Sequence, residues 1–276
     1  MNRIMKSVGF VMAIGGLSLF ISCGGGDGVK SLFFSIEDDQ KLGLQVSEEI
    51  ESDPATYPIL SETEYAEAYS YLNSMKEAIL NSGEVAYKDE FVWELKIIDA
   101  EILNAFATPG GYMYVYTGLI NYLDNADDLA GVIGHEIAHA DRRHSIKQLE
   151  KVYGVQLLLQ VALGQDQSQL EQIATQIATG AAALQFGQAN ESEADEYSVI
   201  YLSKTDYACN GAASFFQKLE DEGKTSDNFK FLSTHPPSDE RVVDINEKAG
   251  ELGCDTDPIV ETGMTYDQFK ESLIQP

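Results

Sequence analysis

Positive charge is scarce in this 276-residue chain: 18 lysines and arginines stand against 45 aspartates and glutamates, for a net charge of −27. Such a balance repels phosphate backbones and anionic headgroups, so nucleic acid is not an expected partner. The acidity itself reads as a solvated surface and says little about substrate. Long apolar runs are missing after the first two dozen residues, so no later segment is expected to span a bilayer. No internal repeat is visible, and the acidic runs lack the alternating oxygen-ligand spacing of a calcium loop. Histidine is rarer still, with four in the whole chain. What remains is 44% hydrophobic, enough to bury one sizeable core, and a single domain over 36–276 is expected.

The start of the chain reads differently. Arg3 and Lys6 precede an apolar run from Val8 to Ile21 that stops at Ser22 and Cys23, the pattern of an export signal over 1–22. Cys23 and the stretch Gly24 to Gly28 resemble a bacterial lipoprotein site, although Phe20 stands where leucine is usual. That resemblance implies a diacylated Cys23 and a flexible tether over 23–35, anchoring the chain to a membrane; an ordinary cleaved signal or an uncleaved anchor is the alternative. Gly24 replaces the acidic residue that retains many lipoproteins at the inner membrane, which points to the outer membrane, facing the periplasm. Cys209 and Cys254 are then an even pair in an oxidising compartment, either bonded or two buried thiols.

Helical spacing is predicted from Ile36 to Ser52 and from Ser61, with Glu64 three residues on, to Asn81. The period then changes. Phe91 to Ile98, Ile102 to Ala107 and Tyr112 to Tyr116 read as strands of a small antiparallel sheet, with Thr108-Pro109-Gly110-Gly111 as a turn. Asn125 suits the cap of a helix whose first turn holds Asp127 and Asp128 and whose apolar face is Leu129, Ile133, Ile137 and Ala140. The segment from Lys151 to Gly187 reads as two helices broken near Gly164 to Ser168. Further helices are expected over Glu191 to Ser203, Gly211 to Glu222, from a Ser238 cap to Gly250 or Gly253, and after Thr265. The fold class is therefore α+β, mainly helical.

The Asn125 helix contains His135-Glu136-Ile137-Ala138-His139. Two histidines four apart project from one helix face and can share a metal ion, while Glu136 lies about 100° round the helix beside them. Two neutral imidazoles leave Zn²⁺ positions for a third protein ligand and for a water whose proton Glu136 can take. Helix packing without metal is the plainer alternative for the two histidines. A third ligand is sought in Asn190 to Asp195. Glu191 and Asp195 share a helix face, so that one can bind metal while the other orients a ligand histidine; Glu191 is the choice for metal, and Glu193 is expected to point away.

These residues, with Asn104-Ala105-Phe106-Ala107, Pro109-Gly110-Gly111, Arg143-His144, and His235-Pro236-Pro237 followed by Arg241, resemble in order the motifs of the HtpX, CAAX prenyl endopeptidase and Oma type of gluzincin zinc metallopeptidases, in particular their soluble lipoprotein branch. The similarity spans about Ile36 to Gly250. It implies a zincin-like domain holding one Zn²⁺ on His135, His139 and Glu191, with Asp195 as a hydrogen-bonding partner to the ligands. It also implies that Gly111 to Tyr116, notably Gly111, Tyr112, Met113 and Tyr114, is an edge strand against which an extended substrate lies. The tyrosines there are equally one face of an ordinary sheet. His144 is expected in a supporting role. His235 is either a turn histidine or, as the resemblance implies, a residue that approaches the metal to occlude it or to stabilise an oxyanion, and Arg241 can pair with an acidic partner near the ligands. The chain departs from the family at Gly187-Gln188-Ala189-Asn190, where an arginine is common.

The expected activity is zinc-dependent hydrolysis of peptide bonds in unfolded or misassembled envelope proteins, with Glu136 as general base. The rival is a non-catalytic assembly factor that uses the zinc cleft as a peptide-binding groove; an intact Glu136 speaks against it.

Overall fold

In the computed structural model the residues 34–179, 184–223, 230–236 and 240–274 are described. The export signal, Cys23, Pro237 and the Ser238 cap lie outside them. Helix α1 (Ile36–Glu51) opens on a capping box in which Ser35 and Asp38 satisfy each other's backbone donors, and α2 (Ala66–Leu80) follows. Strand β1 (Glu94–Ile98) begins three residues later than its alternating pattern predicts, because Trp93 adopts a left-handed φ of 51°. That conformation is held by Lys76 Nζ, which donates to the Trp93 carbonyl, and by the indole Nε1, which donates to the Tyr87 carbonyl.

Strands β2 (Ala105–Ala107) and β3 (Tyr112–Tyr116) form a hairpin around the turn Pro109–Gly111. The strand order is β1-β3-β2, with β1 parallel to β3 and β2 antiparallel to it. The expected antiparallel sheet is therefore mixed. Its third strand returns between the first two, so that β3 is the inner strand and every one of its residues is buried. Gly43 lets α1 pack against the backbone of the Pro109–Gly111 turn: a Cβ there would lie 1.8 Å from the Pro109 carbonyl oxygen.

Helix α3 (Thr117–Tyr122), which the apolar pattern did not predict, leads to α4 (Ala126–Asp141). Asn125 caps α4 by accepting from the Asp128 N–H, and all sixteen helix residues are buried. Next come α5 (His144–Tyr153), α6 (Val155–Ala162) and α7 (Gln167–Ala178). The expected break falls between α6 and α7, and a further one occurs at Gly154, whose φ of 78° stops a helix. Helices α8 (Gln188–Leu202), α9 (Gly211–Asp221), α10 (Lys230–Thr234), α11 (Arg241–Leu252) and α12 (Tyr266–Ser272) complete the order. Thr265 and Gln268 close the expected capping box on α12.

The larger core gathers α2, α4, α8 and α9 around Leu72, Ile79, Leu129, Ile137 and Phe215, each of which contributes about 1.5–3 kcal/mol by leaving water. Helices α4 and α9 cross at backbone contact. A Cβ on Gly131 would meet the Ala212 nitrogen at 2.1 Å, and one on Gly211 the Asp127 oxygen at 2.0 Å. Cys209 and Cys254 are bonded, which settles the open alternative and ties the start of α9 to the end of α11. No described helix is long and apolar enough to cross a membrane.

Candidate metal centre

Helices α4 and α8 pack along their length, with Ser198 Oγ donating to the Gly131 carbonyl. Each contributes two residues one turn apart: His135 and His139 from α4, Glu191 and Asp195 from α8. The consequence is a convergence of donor atoms. His135 Nε2 lies 3.0 Å from His139 Nε2 and 3.5 Å from Glu191 Oε2, and His139 Nε2 lies 3.5 Å from Glu191 Oε1. A fourth donor, His235 Nδ1, sits 3.2 Å from His135 Nε2 and 3.1 Å from Glu191 Oε1. Donors on a tetrahedral zinc with bonds of about 2.0–2.1 Å lie roughly 3.3 Å apart. The residue types and their spacing therefore fit one such ion, and among the described residues this is the group able to hold one.

A buried polar atom points the same way. Glu136 Oε1 accepts no hydrogen bond from the protein, although Glu136 is only 3% exposed. Such an atom is costly unless something else satisfies it.

Asp195 Oδ1 stands 2.9 Å from His135 Nδ1, so His135 is oriented from behind by a carboxylate. Arg241 grips Asp195 with two hydrogen bonds, Nε to Oδ2 at 2.7 Å and Nη2 to Oδ1 at 2.6 Å, and places Nη1 3.0 Å from Glu191 Oε2. Its guanidinium carbon lies 3.7 Å from the Phe216 ring centroid. The charges in this cluster answer to one another. Burial pulls the His135 imidazole down, but Asp195 and Glu191 more than reverse this and lift it to about 9. Burial, with His135 beside it, holds His139 well below its ordinary value. Glu136 is pushed up by burial, whereas for Glu191 the opposing pull of His235 and Arg241 wins and its carboxyl is held well down.

Two expected residues make contacts beyond those predicted, and one expected segment is placed otherwise. Glu193 faces away from the donor cluster but is not idle: its Oε2 lies 3.0 Å from His144 Nε2, and its Oε1 accepts from Arg142 Nε at 2.8 Å. His144 in turn puts Nδ1 3.1 Å from His139 Nδ1, and burial lowers its pKa to about 4. The segment Gly111 to Tyr116 is no edge strand, because β3 is paired on both sides; Tyr114 is buried with its hydroxyl donating to Ser47 Oγ.

The sheet's edge next to the cluster belongs to β2. The Thr108 N–H bonds the Tyr112 carbonyl and the Tyr116 N–H bonds the Asn104 carbonyl, so by antiparallel alternation Ala105 and Ala107 turn their N–H and C=O groups away from β3. At that edge the Ala107 N–H donates toward the Glu136 carboxylate, and its carbonyl accepts from Ser145 Oγ at 3.2 Å. A small pocket of about 30 Å³ lies here between Phe106, Glu136, Leu149, Leu184 and His235.

His235 also places Nε2 3.4 Å from Glu136 Oε1. Its ring stacks on Phe231 at 4.3 Å, and Phe186 stacks on His139 at 4.1 Å. Neither phenylalanine was singled out in the sequence. Phe231, four residues before His235, carried a helical-spacing signal; Phe186 carried none.

The family model described as Peptidase family M48 matches residues 67–249, two thirds of the chain. A putative beta-barrel assembly-enhancing protease of Vibrio cholerae is 30% identical over 157 residues, 53% of this chain and 32% of that one. The mitochondrial metalloendopeptidase OMA1 of Schizosaccharomyces pombe is 30% identical over 202 residues, 71% of this chain and 58% of its own. Metalloprotease YcaL of Escherichia coli is 31% identical over 163 residues, 55% and 61% respectively. The chain thus spans between about a third and three fifths of the length of these relatives.

Proposed function

This chain belongs to peptidase family M48, and on that premise we propose that it is a zinc-dependent endopeptidase that cleaves extended or unfolded proteins in a bacterial cell envelope. The observation that carries the reading is the convergence of His135, His139 and Glu191 within reach of one ion, with the Glu136 carboxylate beside them. Zinc held there supplies an acidified water and a Lewis acid for the peptide carbonyl. Glu136 then has two tasks: its carboxylate takes the proton of the attacking water and returns it to the leaving amine. Burial, which raises the affinity of that carboxylate for a proton, suits both. Substrate lies against β2 instead of β3, pairing with the outward N–H and C=O groups of Ala105 and displacing Glu136 and Ser145 from those of Ala107, a mode that makes little demand on side chains.

His235 is read as an occluding residue. Its Nδ1 occupies the fourth corner of the donor set while its Nε2 faces Glu136, so a single imidazole stands both where water must bind and against the base. Displacing α10 exposes both positions. The lipid anchor on Cys23, attachment at the outer membrane and a role in envelope quality control belong to the same proposal. They are supported by the N-terminal sequence and by the bacterial relatives named beta-barrel assembly-enhancing proteases.

One observation favours the non-catalytic reading, in which the cleft only binds peptides: four protein donors around one point is the closed arrangement of a structural zinc. Glu136→Gln separates the two. Under the peptidase reading it keeps stoichiometric zinc and loses about 10²–10⁴-fold in cleavage of an unfolded protein substrate. A parent protein that binds zinc and unfolded chains yet cleaves none, with or without α10 displaced, would establish the binding module.

A further inference from the structure

The two ligand histidines are held from behind in unlike ways. His135 Nδ1 meets a carboxylate directly, Asp195 at 2.9 Å. Behind His139 there is another imidazole: His139 Nδ1 meets His144 Nδ1 at 3.1 Å, His144 Nε2 meets Glu193 Oε2 at 3.0 Å, and Glu193 Oε1 accepts from Arg142 Nε at 2.8 Å. The row begins in the interior, where His139 and His144 are fully buried, and ends near the surface, where the side chains of Glu193 and Arg142 are 27% and 19% exposed. The Arg142 guanidinium is held in turn 4.3 Å over the Tyr197 ring.

We propose that Glu193 is a positioning residue which, through His144, fixes the tautomer in which His139 presents Nε2 to the metal. The inference rests on His139 being a ligand, as proposed above. A neutral imidazole that offers its Nε2 lone pair must carry its proton on Nδ1. That proton points at His144 Nδ1, which must therefore be the acceptor, so His144 carries its own proton on Nε2 and donates it to Glu193. Only this arrangement gives every contact in the row one donor and one acceptor. Glu193 is the member that enforces it, because a carboxylate accepts and does not donate. Arg142 keeps the carboxylate in place and ionised.

Without that charge His144 is free to hold its proton on Nδ1. Two N–H groups would then face each other across 3.1 Å unless His139 moved its own proton to Nε2, where it blocks the metal. Asp195 does the corresponding work for His135 at one remove less. Helix α8 thus supplies three functions at alternate residues: Glu191 binds the ion, Asp195 orients one ligand, and Glu193 orients the other through a histidine.

The test uses the full chain with Glu193→Gln, which keeps the side chain's shape, and Glu196→Gln as a control. Glu196 lies on the same helix, paired with Lys248, and its loss changes the net charge equally. Zinc affinity is measured by competition with a chromophoric chelator, and histidine tautomers by ¹⁵N–¹H correlation on the metal-free protein. Expected is zinc binding weaker by about 10–100-fold in Glu193→Gln, with the His139 proton no longer confined to Nδ1, while Glu196→Gln matches the parent. Parent-like affinity in Glu193→Gln overturns the relay and leaves the ligand set standing. If Glu193→Gln also loses thermal stability, the folded fraction decides: His139 still protonated on Nδ1 alone overturns the proposal. A parent protein that takes up no zinc at all overturns the ligand assignment, and the relay with it.

Discussion

The donor cluster has two unlike sides. On one, α4, α8, α9 and α11 meet through a backbone-close crossing at Gly131 and Gly211, a disulfide, and a buried Arg241 that engages Asp195 and Glu191 together. On the other, a five-residue helix presents His235, joined to its surroundings by Phe231 N–H on the Leu103 carbonyl, by Phe186 N–H on the Thr234 carbonyl, and by ring stacking. The first side holds three donors with several independent ties each. The second holds one donor with few. A zinc peptidase needs this asymmetry, because its ligands must not move while whatever fills the water's position must leave.

Breaking the well-tied side should be severe. Arg241→Met removes the cation between Asp195 and Glu191, leaving buried carboxylates uncompensated, and is expected to cost about 3–5 kcal/mol in a denaturant titration of the metal-free protein. A loss below 1 kcal/mol would mean that the network is not structural. Cys209→Ser with Cys254→Ser opens a link across 45 residues of sequence and should cost about 2–4 kcal/mol. Before reduction the native pair should resist thiol labelling, and ready labelling would refute the bond.

A smaller effect comes from the first turn of α4. Burial raises Asp128 to about 6 from an ordinary 3.8, the hydrogen bond from the Asp124 N–H offsetting only part of this. Between those values the folded protein holds a proton that the unfolded chain has lost. The contribution is therefore complete below pH 3.8 and is lost as pH rises through about 6. Asp128→Asn should flatten that slope and improve stability at neutral pH by about 1–3 kcal/mol relative to the parent. An unchanged slope in thermal melts from pH 4 to 7 would show that the proton is bound elsewhere.

The smallest effect expected is on the loosely tied side. His235→Ala should keep zinc and raise basal cleavage by about 3–10-fold, as expected for a site closed most of the time. A fall in rate with zinc retained would instead make His235 a transition-state residue. Activity and zinc content both equal to the parent's would reduce it to a turn histidine.

Much of the site was legible locally. Asn125 and the acidic first turn announced α4, and the four-residue spacings of His135 with His139 and of Glu191 with Asp195 required only helical geometry. Glu193 was read as facing away from the ligands, as it does, but its contacts were not legible. Its helix face is correctly opposite the ligands' face, but His144, from the turn after α4, wraps round to meet it, and no spacing within α8 reveals that. The substrate strand was misread because Tyr112 to Tyr116 has a strand's pattern whether it lies at an edge or in the middle. An unbroken row of buried residues in β3 marks an inner strand, yet burial of polar-tipped tyrosines is a property of the packed chain.

By itself, then, the sequence determined the principal helices, though not α3, α10 or the break at Gly154, and it singled out the candidate metal-ligating residues and their base, since these follow from side-chain type and from separations of one helical turn. Three matters were decided only by tertiary structure: that β3 returns between β1 and β2 and leaves β2 beside Glu136, that His144 links His139 to Glu193, and that His235 arrives at the fourth corner from 100 residues away. Each depends on which distant surfaces bury one another, and that is set by the free energy of packing the whole core, to which no local pattern has access.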